Sequence, residues 1–360
     1  MKKAASLLLA DGTRFDGEGI GLDALVLGEA VFYTGMTGYE EALTDPSYAG
    51  QLLTFTYPMI GNYGISGTAA QHARACVAGA VIKRMAEHPS HHAMVVDLGS
   101  WLAEQHVPTL VGIDTRALTT VLREHGTIRA ALAVGDTSVE KMEAALGTYA
   151  RSETANGLVA EVADRGVQQV SPNASGPHVV LIDCGVKRAI VRDLVALGVR
   201  LTVLPYDATT EEVLARRPDA VVISPGPGDP ADLGDTIETL RGLLGQLPMF
   251  GVCLGHQLLA IACGAKTYKL LYGHRGGNQP VKDLLHDSVL VTAHNHGYAV
   301  DGATLPGELE ATMINLNDGT NEGFRHRTLP ISAVQFHPEA SPGPFDARFL
   351  FAEWVASLPA

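Results

Sequence analysis

Residues 248–262 read PMFGVCLGHQLLAIA. The apolar run PMFGVC is short enough for a strand, and GHQLLAIACG has the length and apolar spacing of a helix. The junction between them holds Cys253 between Gly251 and Gly255, in the pattern glycine–x–nucleophile–x–glycine. Such a turn forces its central residue into a strained backbone region, and the glycines let neighbouring elements approach closely. A cysteine there has two readings. It is a small core hydrophobe, or it is a nucleophile at a helix N-terminus. In the second case the helix dipole favours the thiolate, and the thiol pKa should fall below the ~8.5 of a free cysteine. The backbone N–H of Leu254 is then freed to face a developing oxyanion.

Working outward, the same strand-then-helix alternation fills residues 178–262. HVVLIDC (178–184), RLTVLP (200–205) and DAVVISP (219–225) read as buried strands. KRAIVRDLVALG (187–198), TTEEVLARRP (209–218) and DLGDTIETLRGLLGQ (232–246) read as helices, the second with an N-terminal Thr cap and early glutamates. Alternation of this kind predicts a parallel sheet covered on both faces, with ligands bound beyond the carboxyl ends of the strands. Cys253 is placed at one such end. SPGPGDP (224–230) follows another. Its Gly-Pro steps bar helix and strand alike, and Gly226 and Gly228 expose backbone N–H groups suited to an oxyanion or a carboxylate; alone, the loop is an ordinary turn. AVQFHPEAS (333–341) delivers His337 at the end of a strand-like run, with Glu339 two residues on. His337 can take a thiol proton and return it to a leaving amine, and Glu339 can fix the imidazole tautomer. Past residue 270 the chain reads as shorter strands joined by turns, closing with a helix in FDARFLFAEWVAS (345–357).

The first half is less regular. SLLLADGTRFDGEGIG and ALVLGEAVFYTGMTGY suggest strands joined by glycine-rich turns, IDTRALTTVLREHG and VEKMEAALGTYA read as helices, and QHARACVAGAVIKRMAEH and SWLAEQH fit either state. This predicts a mixed α and β domain over residues 1–165, a Ser/Pro/Asn/Gly-rich linker at 166–177, and the α/β domain at 178–360. The opening MKKAASLLLA resembles a signal sequence, but Asp11, Arg14 and Asp16 follow at once, so it reads as a first strand. A formal net charge of −13 argues against nucleic acid or an anionic membrane as a partner. Four cysteines at 76, 184, 253 and 263 form no C-x-x-C pair, which points to a reducing cytoplasm. The histidines of EHPSHHAM (87–94) have no Cys, Asp or Glu partner at ligand spacing, so no metal site is assigned. No G-x-x-x-x-G-K-[ST] and no strand-bound G-x-G-x-x-G occur, so the chain offers no ATP site.

Taken together and in order, SPGPGDP, GVCLGHQLLA and FHPEASPGP resemble the class I glutamine amidotransferase domain, with Cys253, His337 and Glu339 as its triad. FYTGMTGYEEALTDPSYAGQLLTFTYPMIGNYGI (32–65), IDTRALTTVLREHGTIRAAL (113–132) and YGHRGGNQPVKD (272–283) are similar to the small, glutamine-hydrolysing subunits of carbamoyl phosphate synthetases. The resemblance implies hydrolysis of glutamine through a glutamyl thioester. It implies a glutamine site made by Ser47, Gly226, Gly228, Leu254, Gln257, Asn295, Gly297 and Tyr298. It also implies a larger synthetase subunit that supplies ATP and its metal ion, receives ammonia through a channel, and feeds arginine and pyrimidine synthesis. Tyr298 stands where relatives often carry Phe, Pro225 where many carry Asn, and Arg275 and Gln279 where His is common. The competing readings are an amidotransferase subunit for anthranilate or GMP synthesis, against which the first half speaks, and a non-catalytic regulatory subunit, against which the intact triad speaks.

Overall fold

The computed structural model describes residues 3–148 and 155–358. The chain forms two compact units, Met1–Glu153 with Leu271–Arg275, and Thr154–Leu270 with Gly276–Ala360. The first unit runs β1 (Lys3–Leu9), β2 (Arg14–Ile20), β3 (Ala24–Tyr33), α1 (Tyr39–Thr44), β4 (Gln51–Phe55), β5 (Gly79–Ile82), α2 (Leu98–Glu104), β6 (Thr109–Val111), α3 (Thr115–His125), β7 (Ile128–Val134) and α4 (Val139–Thr148). Its strands close into a barrel in the order β1-β2-β6-β5-β4-β3-β7. The ambiguous segment around residue 80 becomes β5, and SWLAEQH becomes α2, capped by the Asp97 carboxylate on the Ser100 N–H. Closure brings backbones together at β2, where a Cβ on Gly17 would stand 2.5 Å from the Val111 carbonyl oxygen. The barrel interior is filled by Leu7, Leu52, Val81, Leu110 and Leu132, plugged by Leu118 and Leu122 of α3. Each such side chain contributes roughly 1.5–3 kcal/mol by leaving water.

The second unit runs α5 (Ala155–Val162), β8 (Gln168–Gln169), β9 (His178–Asp183), α6 (Arg188–Ala196), β10 (Arg200–Pro205), α7 (Thr210–Ala215), β11 (Ala220–Ile223), α8 (Gly234–Leu243), β12 (Met249–Val252), α9 (Leu254–Ala262), β13 (Thr267–Asp283), β14 (Ser288–Val300), β15 (Leu309–Asn315), β16 (Asn321–His326), β17 (Ile331–Val334) and α10 (Phe349–Ala356). Its sheet has the order β14-β13-β15-β16-β17-β12-β11-β9-β10-β8. The stretch β17-β12-β11-β9-β10 is parallel throughout. Every residue of β9 is buried because both faces are covered. Val180 and Ile182 pack with Val213 of α7, Leu240 of α8 and Leu258 of α9. Their neighbours Val179 and Leu181 point the other way, onto Ile190 of α6 and Phe351 and Trp354 of α10. At the start of α7, Thr209 and Glu212 exchange hydrogen bonds in a capping box.

Two features differ from the sequence pattern. Residues 168–169, within the linker-like stretch, pair antiparallel with β10 at the sheet edge. The region after 270 contains the expected short strands β15, β16 and β17, but opens with two long ones, β13 of 17 residues and β14 of 13. Their many Gly, His and Asn residues break the apolar alternation that marks a strand, and side-chain hydrogen bonds such as that from Thr292 to the Gln279 carbonyl take its place.

Candidate active site

Four adjacent parallel strands end at the same edge, and each is followed by a segment of the site. Gly185-Val186-Lys187 follows β9, SPGPGDP follows β11, Cys253 follows β12 and His337 follows β17. Cys253 has φ 55° and ψ −103°, a left-handed backbone that costs on the order of 1–3 kcal/mol for a residue with a side chain. Glycines on either side make the turn possible. A Cβ on Gly251 would lie 2.5 Å from the Gly255 oxygen, and one on Gly255 would lie 2.3 Å from the Ile223 oxygen. Gly255→Ala is therefore expected to lower stability by about 1–3 kcal/mol or more through overpacking. Urea unfolding of the variant checks this, and an unchanged midpoint would refute the proposed contact.

The turn sets Cys253 at the start of α9, whose first N–H groups have no intrahelical acceptor. Its sulfur is buried, 3.7 Å from the Asn295 carbonyl oxygen, and it accepts an N–H from the Gln335 side chain at 3.6 Å. Across from it, His337 Nδ1 lies 2.7 Å from Glu339 Oε1, and the same oxygen receives Lys187 Nζ at 2.7 Å. Lys187, His337 and Glu339 are all buried. Burial of the imidazole pulls its pKa down, but Glu339 more than offsets this, and the ring is pushed up to about 10. Lys187 opposes that rise, while Cys253 adds to it through charge and a hydrogen-bonding approach. Burial raises the Glu339 pKa, yet Lys187 and His337 together hold it at about 2. The arrangement thus keeps an ionised carboxylate between two cations and a cationic ring next to sulfur.

The sequence reading does not single out Lys187, which belongs to no recognisable motif, or Gln335, which lies within AVQFHPEAS but reads as an ordinary strand position. The one signal for Lys187 is its position just beyond a parallel strand. Its turn is held by Asp183, whose Oδ1 accepts the N–H groups of Gly185 and Val186 at 2.9 and 2.7 Å. Gln335 links two residues of the site, because its Oε1 accepts from Gln257 Nε2 at 2.9 Å while its own amide reaches the sulfur. Gln257 Nε2 also donates to the Tyr298 carbonyl at 2.7 Å.

The other expected site residues fall as follows. Leu254 is the first residue of α9 and is buried. Gly226 lies against the Cys184 turn, where a Cβ would come within 2.1 Å of the Cys184 oxygen, and Gly228 has φ +92°. Asn295, Gly297 and Tyr298 all lie on β14, whose Ala293 carbonyl accepts the His337 N–H at 2.9 Å. Ser47 belongs to the first unit, where its N–H donates to Asp45 and its buried hydroxyl makes no hydrogen bond. Arg275 is buried, and its Nη1 donates to the Tyr272 carbonyl at 2.5 Å. His256 is buried against Phe324 and bonded to Asn321, and burial lowers its pKa to about 4, so it is a neutral packing residue. Cys184 lies in the core and Cys263 packs against it, and burial raises both thiol pKa values.

Known proteins can now be set beside this geometry. Residues 180–356 match the model for glutamine amidotransferase class-I, and residues 7–132 match that for the carbamoyl-phosphate synthase small chain, CPSase domain. The carbamoyl phosphate synthase small chain of Symbiobacterium thermophilum is 48% identical over 97% of both chains. The chain of the same name from Archaeoglobus fulgidus is 47% identical over 98% of both. The chain belongs to the carbamoyl phosphate synthase small-chain family. The small chain of Bacillus caldolyticus, 48% identical over 98% of this chain and 96% of its own, agrees. Membership accounts for both halves at once, since a small chain of this family pairs a CPSase domain with a class-I amidotransferase domain, as the two matched regions do here.

Proposed function

We propose that this chain is the glutamine-hydrolysing subunit of a carbamoyl phosphate synthase, with Cys253, His337 and Glu339 as its catalytic triad. The carrying observation is Glu339, buried and shared at 2.7 Å by His337 and Lys187, on the strand edge that also presents Cys253. Cys253 sulfur bonds to the glutamine amide carbon, and the oxyanion is met by the Leu254 N–H and the backbone of Gly226 and Gly228. His337 gives a proton to the amide nitrogen, the C–N bond breaks and ammonia leaves. Water then attacks the thioester, passing a proton to His337, and the C–S bond breaks to release glutamate. Asn295, Gly297, Tyr298 and Gln257 hold the substrate.

Ammonia passes to a larger subunit that holds ATP and its metal ion, because this chain carries no nucleotide-binding motif. The chain works in the cytoplasm. Its four free cysteines suit a reducing compartment, and among the described residues no helix is long and apolar enough to cross a membrane. The test is glutamate release from glutamine by the chain alone and with a carbamoyl phosphate synthase large subunit, ATP and bicarbonate. A low rate alone that rises on assembly is expected. Absence of glutamate release in both arms overturns the reading.

A further inference from the structure

Gln335 follows β17 directly and stands two positions before His337. Val334 and Phe336 pack into the core beside Phe351. Gln335 alternates with them, is fully buried, and reaches the sulfur of Cys253. Its main chain is tied down, because its N–H donates to the Glu322 carbonyl at 2.9 Å. A buried glutamine can present either end of its amide, so what it offers Cys253 is set by its partners. The Tyr298 carbonyl oxygen can only accept, so the Gln257 group 2.7 Å from it is the NH2. The same NH2 lies 2.9 Å from Gln335, so the Gln335 atom there is the oxygen. This leaves the Gln335 NH2 on the side of the sulfur, 3.6 Å away. One main-chain carbonyl thus orients two amides in series, and the series ends in an N–H aimed at the reacting atom.

The sulfur also lies 3.7 Å from the Asn295 carbonyl oxygen. These two neighbours answer differently to charge. A thiol can give its proton to the carbonyl, whereas a thiolate is repelled by it. An N–H donor meets either form and bonds the anion more strongly. When the nucleophile forms, the favourable contact therefore passes from Asn295 to Gln335. We propose that Gln335 is a positioning residue for the reaction: its amide, oriented through Gln257 by the Tyr298 carbonyl, holds the ionised sulfur of Cys253 where it attacks. It acts on the direction of the sulfur, while His337 carries the proton transfers. This rests on Cys253 being the glutaminase nucleophile proposed above. It adds that Gln257, which holds the substrate, is joined to the reacting atom by two hydrogen bonds in series. The same amide also meets His256, so the alternative is a purely architectural role.

Two variants of the full chain, assembled with a carbamoyl phosphate synthase large subunit, test this. Gln335→Met keeps the length and apolar bulk of the side chain and deletes both ends of the amide. Gln335→Glu keeps an oxygen for Gln257 and deletes only the N–H. Both are expected to lower kcat for glutamate release by about 10–100-fold, the worth of one hydrogen bond to a charged group, with KM for glutamine little changed. Alkylation of Cys253 by iodoacetamide, followed by peptide mass spectrometry, should slow in both. An architectural role would lower the urea midpoint and leave the kcat and alkylation rate of the folded protein where they are. Wild-type kcat and alkylation rate in either folded variant, or loss of the fold in both, overturns the proposal. If the wild-type chain itself releases no glutamate, the glutaminase reading fails, and equal alkylation rates would then overturn the role of Gln335 on their own.

Discussion

Replacing Cys253 with alanine is expected to lower glutamine hydrolysis by about 10⁴-fold or more, the usual loss when a nucleophile is removed from a coupled triad. The assembled enzyme should still make carbamoyl phosphate from added ammonia, because that route bypasses the sulfur. The contrast matters more than the loss, since a folding defect would damage both. The variant should fold well, because alanine is smaller than cysteine and the strained turn is set by its neighbours at Gly251 and Gly255. Steady-state glutamate release from glutamine and carbamoyl phosphate formation from ammonia are the measurements. Glutamate release at the wild-type rate would remove Cys253 from the mechanism.

Lys187→Met should have the second largest effect, on stability and on its pH dependence together. Methionine keeps the length and apolar packing of the side chain while deleting its charge, so Glu339 would be left buried with His337 as its single cation. Breaking a buried pair by removing one partner costs about 3–5 kcal/mol. The Glu339 carboxyl is held at about 2, below its ordinary 4.5, so its contribution to stability is present above pH 4.5 and lost as pH falls toward 2. His337 is raised from 6.5 to about 10, so its contribution is complete below pH 6.5 and is lost as pH rises through 10. Without Lys187 the strongest charge lowering the Glu339 pKa is gone, and the acid limb should move to higher pH. Lys187 also holds the His337 pKa down, so the alkaline limb should move up as well. Urea midpoints measured from acid to alkaline pH check both limbs. A variant with the wild-type midpoint and unmoved limbs would show that the ammonium does not hold the site.

The parallel sheet of the second unit was legible because its strands are covered on both faces and so read as unbroken apolar runs, as HVVLID does. The barrel of the first unit was not. Its parallel pairs β3-β4 and β5-β6 are joined by segments without a long periodic helix, and glycines such as Gly17 replace the apolar residues that would mark a strand. In the site, Cys253, His337 and Glu339 announced themselves because each lies in a run whose turn chemistry is unusual. Lys187 looked like the first residue of an amphipathic helix, and Gln335 like a polar position in a strand. Their roles arise from burial and from distances across the sheet edge, which a linear pattern does not encode.

The nearest neighbours at Gly226, Gly251 and Gly255 are main-chain carbonyl oxygens, those of Cys184, Gly255 and Ile223. The height of the sulfur above the sheet is thus dictated by peptide geometry and owes little to how the surrounding aliphatic groups interlock. Drift among those aliphatic groups over evolutionary time, or their deliberate redesign, should change how firmly the molecule holds together while the reacting atom keeps its address.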